Sequence, residues 1–134
     1  MLTDAEKKEL IHEAHLAQGL AYAQYSKYTV GAALLTRGGE IYTGCNIENA
    51  VFPLTLCAER VAIFKAVSVG TKDFVAIAVV TRNGGTPCGS CRQVMREFSK
   101  DLIILIANEQ EELSLETTLG ELLPHSFGPE DVAS

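Results

Sequence analysis

The sequence predicts an α/β fold, a three-layer α/β/α sandwich around a mixed five-stranded sheet. Three observations predict it. Runs of strand-forming apolar residues alternate with longer stretches of helical period. One run, Phe74 to Thr81, is apolar almost throughout, as expected of a strand covered on both faces. The Asn108-Glu109-Gln110-Glu111 connection is too short for a parallel crossover, so the strands flanking it must pair antiparallel.

The elements follow in order. Thr3 caps a first helix, with Glu6 at the third position of a capping box. Leu10, Ile11, Ala14, Ala17 and Ala21 carry its apolar period. His12 and His15 lie in this helix without a partner at ligand spacing, so solvated or hydrogen-bonded imidazoles are expected. Tyr25-Ser26-Lys27-Tyr28 breaks the helix. Thr29 to Leu35 and Glu40 to Cys45 then read as an antiparallel hairpin across Arg37-Gly38-Gly39. Gly31, Ala32 and Ala33 are small enough to let a helix or a ligand approach that strand's backbone.

Residues 57–69 are apolar almost all round, which predicts a buried helix ended by Gly70. Phe74 to Thr81 is the central strand, Arg82 to Pro87 a loop, and Cys88 to Phe98 a further helix. Leu102 to Ala107 and Glu112 to Leu115 form the antiparallel pair. Thr117 to Leu123 is a short helix stopped by Pro124, and a tail runs from His125 to Ser134. There are no internal repeats, and a single domain over residues 1–134 is expected.

Composition excludes several classes. With 47% apolar residues, a chain of 134 residues builds a packed core rather than remaining disordered. No apolar run approaches the roughly 20 residues that span a bilayer. The start, Met-Leu-Thr-Asp-Ala-Glu, is unlike a secretory leader, so a cytoplasmic protein with no membrane association is expected. A formal charge of −6 with no basic block disfavours nucleic acid and favours a small, uncharged substrate. Four cysteines in such a chain read as ligands or core thiols.

The chemistry gathers in Cys57-Ala58-Glu59-Arg60 and Pro87-Cys88-Gly89-Ser90-Cys91. Cys88 and Cys91 are three apart at a helix start, so both sulfurs can face one point. Cys57 begins the other buried helix. Two helix N-termini lower thiol pKa and favour thiolates, which select zinc. Three protein ligands leave a fourth position for water, and Glu59 can lie beside the ion as a proton carrier. Arg60, three residues after Cys57, is placed to donate to the thiolates; Arg92 is a weaker candidate for that task. Cys45 is the residue that could close the site, but it reads as a core thiol at a strand end. A redox pair at Cys88 and Cys91 would leave Cys57 and Glu59 unexplained. This machinery suits hydrolytic displacement at an electron-poor ring carbon.

C-A-E-R, P-C-G-S-C-R-Q, the upstream G-C-N-I-E-N-A and Y-S-K-Y-T-V-G-A-A closely resemble the cytidine deaminases, in the small homotetrameric type with three cysteine ligands. The resemblance runs from about Ala21 to Phe127, and a three-cysteine zinc site beside a non-ligand glutamate is the established pattern of zinc deaminases. It implies one zinc per chain on Cys57, Cys88 and Cys91. It also implies that Glu59 protonates N3 of the pyrimidine and then the departing amine. Cytidine and 2′-deoxycytidine would give uridine and 2′-deoxyuridine with ammonia, in pyrimidine salvage. Backbone at Ala58 and around Cys88 would read the base, and Asn46 and Glu48 the ribose hydroxyls. Tyr28 would pack on the substrate where the family usually has phenylalanine. In a homotetramer with shared pockets, Ala50, Phe52 and Phe127 would come from neighbouring subunits. The departures are Tyr28, Phe52 for the usual tyrosine, and His125 for a small residue. The rivals are deamination of another aminated nucleoside or a nucleoside antibiotic, a non-catalytic zinc module, and a nucleic-acid editor.

Overall fold

A computed structural model describes residues 2–133. Its elements are α1 (Asp4–Gln18), β1 (Gly31–Thr36), β2 (Ile41–Cys45), a 3-10 turn (Phe52–Leu54), α2 (Ala58–Ser68), β3 (Phe74–Val80), α3 (Gly89–Phe98), β4 (Ile103–Ala107), β5 (Leu113–Thr118), α4 (Leu119–Leu122) and α5 (Pro129–Ala133). The five strands form one sheet in the order β2-β1-β3-β4-β5. β1 pairs antiparallel with both β2 and β3, β3 pairs parallel with β4, and β4 pairs antiparallel with β5. The mixed sheet is therefore as the sequence predicts.

Side-chain alternation divides the core into two layers. Ala33, Ala76, Ala78, Val80, Leu105 and Ala107 face α1 through Leu10, Ile11 and Ala14. Ala32, Leu34, Ile77, Val79, Ile104 and Ile106 face the other way, against Ala62, Ile63 and Ala66 of α2 and Cys91 and Met95 of α3. Putting α2 and α3 on one face is what lets their N-termini meet. Two glycines set how closely the helices lie on the sheet. A Cβ on Gly31 would strike the backbone of α1 at Ala14 and Gln18, and one on Gly44 would strike the backbone of α2 at Ala58 and Ala62.

Several boundaries differ from the sequence expectation. The Thr3–Glu6 capping box forms, but α1 ends at Gln18, leaving Ala21 beyond it. β1 starts at Gly31 rather than Thr29, because Thr29 and Val30 leave the sheet: the Thr29 carbonyl accepts from Gln18, and the Val30 amide donates to Asn46. Cys57 and Cys88 cap their helices instead of lying inside them. α2 is not buried all round: Phe64 and Val69 lie exposed on its outer side and at its end. β5 continues through Thr118, whose side chain then caps α4 at Glu121, so the expected helix from Thr117 shrinks to four residues. The tail contains α5, led by Pro129 and two acidic residues. Ser134 lies outside the described residues. No helix among the described residues is long and apolar enough to cross a membrane.

Candidate metal centre and substrate cavity

Cys57 stands where the chain, having left β2, enters α2. Cys88 stands where it enters α3, and Cys91 lies within the first turn of α3. With both helices on one sheet face, the Sγ atoms of Cys57, Cys88 and Cys91 all lie within 4.8 Å of one another. The Cys88 and Cys91 sulfurs are 3.5 Å apart, too far for a disulfide, and all four cysteines are free. Three sulfurs each about 2.3 Å from one tetrahedral ion would be about 3.8 Å apart, so the donor set is of the kind and near the spacing that zinc takes. Among the described residues no other group of metal-binding side chains converges in this way. Cys45 is half-buried at the end of β2 and stands outside the cluster; burial pushes its thiol pKa up.

Cys57 and Cys91 are electrostatically unlike. The Cys57 thiol is brought down to about 5, chiefly by a hydrogen bond from Cys91, with burial opposing and Arg60 assisting. Cys91 is pushed far up, because it donates to Cys57, is buried, and faces the charges of Glu59 and Cys57. Without a cation the Cys57–Cys91 pair thus carries its negative charge on Cys57 and its proton on Cys91; a divalent ion replaces that proton. Arg60 Nη2 donates to Cys57 Sγ at 3.3 Å, the contact expected of it, and that thiolate raises its own pKa. Its buried Nε has no hydrogen-bond partner among the described residues. Arg92 has a different task. Its guanidinium holds the Pro87 carbonyl at 2.8 Å, the Leu122 carbonyl at 2.8 Å and Thr86 Oγ1 at 3.2 Å, fixing the approach to Cys88 rather than touching sulfur.

Beside the cluster is a cavity of about 280 Å³. Glu59, only 4% exposed, reaches it from the first turn of α2. Burial lifts its carboxyl pKa to about 7, against the helix N-terminal backbone that lowers it, with the Cys57 charge adding to the rise. A cation among the sulfurs opposes that rise. Tyr28, Asn46, Glu48, Cys57 and Cys88 also line the cavity.

Asn46 and Glu48 are themselves buried and already engaged. Asn46 Nδ2 donates to the Tyr28 carbonyl at 2.8 Å, and its Oδ1 accepts from the Val30 amide at 2.9 Å. Glu48 Oε1 accepts from the amides of Tyr25 and Ser26, each at 3.0 Å, and its other oxygen accepts from the Ser26 hydroxyl. These bonds, those of Ser26 first, lower the Glu48 pKa. One N–H and one lone pair of Asn46 remain for a ligand.

The other expected residues lie elsewhere. Ala58 is wholly buried at the start of α2, behind the cavity wall. Ala50, two residues before the 3-10 turn, and Phe52, its first residue, are exposed, and Phe52 meets the Tyr25 ring edge-on at 5.7 Å. Phe127 is 61% exposed on the C-terminal segment, its carbonyl held by Gln93. None of Ala50, Phe52 and Phe127 lines the cavity of its own chain. Sequence reasoning passed over Ser26, Thr81, Gly85 and Thr86, which do line it. Ser26 sat inside a recognised motif. The others lie in the loop leading to Cys88, whose adjacency to that cysteine was the available signal.

The model of the cytidine and deoxycytidylate deaminase zinc-binding region matches residues 4–107. A cytidine deaminase of Sporosarcina psychrophila is 48% identical over 133 residues, covering 97% of this chain and 96% of that protein. The crystal structure of a cytidine deaminase from Burkholderia pseudomallei superposes with a TM-score of 0.86 at 44% identity, covering 94% of this chain and all of the other. A blasticidin-S deaminase of Bacillus cereus is 37% identical over 112 residues, covering 76% of this chain and 79% of that protein.

Proposed function

This chain belongs to the zinc-binding cytidine and deoxycytidylate deaminase family, and we propose that it hydrolyses cytidine and 2′-deoxycytidine to uridine and 2′-deoxyuridine, with ammonia as the other product. The observation that carries the reading is a three-sulfur cluster with a buried carboxyl group beside it, both opening on one cavity. Cys57, Cys88 and Cys91 would hold one zinc ion per chain. When bound, that ion supplies the Lewis acidity that acidifies water near neutral pH, and it ties α2 to α3.

Glu59 moves protons. Held away from solvent in the first turn of α2, it accepts the proton that the attacking water gives up and passes it to ring N3 as C4 becomes tetrahedral. Glu59 then takes the proton of the new C4 hydroxyl and delivers it to the exocyclic nitrogen, so that C4 becomes a carbonyl as the C4–N bond breaks and ammonia leaves. Arg60 withdraws charge from Cys57, which would keep three thiolates from quenching the acidity of an ion held among them. Asn46 and Glu48 meet the ribose hydroxyls with the donor and acceptor capacity that the Tyr25–Val30 loop leaves free, and Tyr28 packs on the base.

The same reading makes the protein a cytoplasmic enzyme of pyrimidine salvage, one domain over residues 1–134, assembled as a homotetramer. Exposed apolar side chains at Ile47, Val51, Phe52 and Leu54, and Phe127 on the C-terminal segment, support an assembly in which Ala50, Phe52 and Phe127 complete a neighbour's cavity. A second reading, deamination of a nucleoside antibiotic, is favoured by the similarity to the blasticidin-S deaminase; a buried Glu48 facing the cavity favours a sugar diol instead. Zinc content per chain measured alongside ammonia release from a nucleoside panel decides between them. One zinc and turnover of cytidine support the proposal; a zinc-loaded protein inert toward cytidine overturns it.

A further inference from the structure

The hydroxyl of Tyr28 has a partner of its own. It donates to Asn83 Oδ1 at 2.8 Å, while the Arg82 guanidinium lies 5.0 Å from the centre of the Tyr28 ring. Asn83 Oδ1 also accepts from Thr81 Oγ1 at 3.3 Å, and Thr81 Oγ1 accepts from the Gly85 amide at 2.9 Å. Tyr28 belongs to the loop between α1 and β1; Arg82, Asn83 and Gly85 belong to the loop that leaves β3 and delivers Cys88. Both loops line the cavity. The fit at their junction is close, since a Cβ on Gly85 would stand 2.9 Å from the Tyr28 hydroxyl.

The two loops are not equally anchored. Around Tyr28 the backbone is pinned on both sides, by Asn46 at its carbonyl and by the Ser26 hydroxyl at its amide. The Arg82–Pro87 loop is held by Arg92 at its far end, at Thr86 and Pro87, by the Thr81 hydroxyl at Asn83 and Gly85, and across the cavity by the Tyr28–Asn83 bond. A phenylalanine at position 28 would keep the ring in the cavity wall and lose that tie.

We propose that Tyr28 is a positioning residue whose hydroxyl, through Asn83, fixes the Arg82–Pro87 wall and so sets the width of the slot that the base enters. The proposal rests on the deaminase reading of the cavity. Its test compares Tyr28→Phe, Asn83→Ala and the double variant in the zinc-loaded full chain. Each single change should raise KM for cytidine by about three- to tenfold, as loss of one hydrogen bond implies, with kcat within about twofold. The double variant should be no worse than either single one, since both remove the same tie. Amide hydrogen exchange in the segment spanning residues 81–88 should speed up equally in both single variants. An unchanged KM, or effects that multiply in the double variant, overturns the proposal, as does faster exchange without a KM change. A wild-type protein inert toward every aminated nucleoside sinks the deaminase reading and this proposal with it. A wild type that turns over cytidine beside an indifferent Tyr28→Phe sinks this proposal alone.

Discussion

Gly44→Ala tests whether the closeness of α2 to the sheet is what aligns the site. A Cβ at this position would lie 2.5 Å from the Ala58 carbonyl oxygen, 2.6 Å from the Ala62 nitrogen and 3.0 Å from Val61 Cβ. Two of these atoms are helix backbone, so no side-chain rotation relieves the clash. Ordinary carbon–oxygen contacts begin at about 3.3 Å, so α2 must retreat by about 0.8 Å or the strand must bend by as much. The first turn of α2 carries Glu59, and Cys57 caps it. A displacement near 1 Å at reacting groups costs about 10²-fold in rate, or about 2.7 kcal/mol of barrier. Overpacking of this kind also costs about 1–3 kcal/mol of stability.

Cytidine turnover followed by ultraviolet absorbance, with urea unfolding on the same preparation, reads both effects. Gly70→Ala is the control. Gly70 has φ +88 just past α2 and nothing within 4 Å of an added Cβ, so alanine there strains only the backbone. It should lose about 1–2 kcal/mol of stability and keep its turnover. Turnover within twofold of wild type in Gly44→Ala, with an unchanged unfolding midpoint, would refute the reasoning. A loss of stability without a loss of rate would show the retreat absorbed before it reaches Cys57 and Glu59.

Glu59→Gln keeps the shape and removes the proton carrier; turnover should fall by about 10²–10⁴ while metal analysis still finds one zinc per chain. Phe127→Ala should raise KM for cytidine, and subunit exchange with Glu59→Gln protein should restore low-KM turnover at some sites. No restoration would mean that Phe127 serves its own chain. His12 Nδ1 lies 3.0 Å from Glu111 Oε2, and that hydrogen bond raises its pKa. Its stabilising effect is full below the unfolded value of about 6.5 and disappears as pH rises through the raised folded value. The melting-temperature advantage of wild type over His12→Gln should therefore shrink between about pH 6 and pH 8; an advantage that grows over that range would contradict the pairing.

What could be read in advance was whatever a local pattern encodes. The capping box at Thr3 and Glu6, the β3 run and the two cysteine clusters each carry their physics within a few residues. Two helix N-termini on one sheet face were enough to bring Cys57 to Cys88 and Cys91. Features that depend on what lies opposite were missed. The composition of α2 gives no sign that Phe64 is left partly exposed, because coverage belongs to the neighbour and not to the residue. α5 was a different failure, since its signals were present: Gly128, Pro129 and two acids form a helix start, and Asp131 accepts from the Gly128 amide at 2.8 Å. Arg96, nearly buried, clamps this segment through Ser126 and Glu130, a long-range contact that no local pattern announces.

Asn46 and Glu48 show why a motif and a mechanism are not the same thing. The resemblance assigns them to the sugar, yet about half of their hydrogen-bonding capacity goes to the backbone between Tyr25 and Val30. That loop presents Tyr28, and Tyr28 reaches Asn83 on the opposite wall. A buried polar residue must be satisfied before the substrate arrives, or the empty enzyme would bear the cost of an unpaired group. The loop supplies that satisfaction, so the residues that would greet the ribose also hold the cavity open in its absence. On the proposed reading, recognition of the sugar and the shape of the base slot would be joined through one set of hydrogen bonds, and a change made at either residue should alter both.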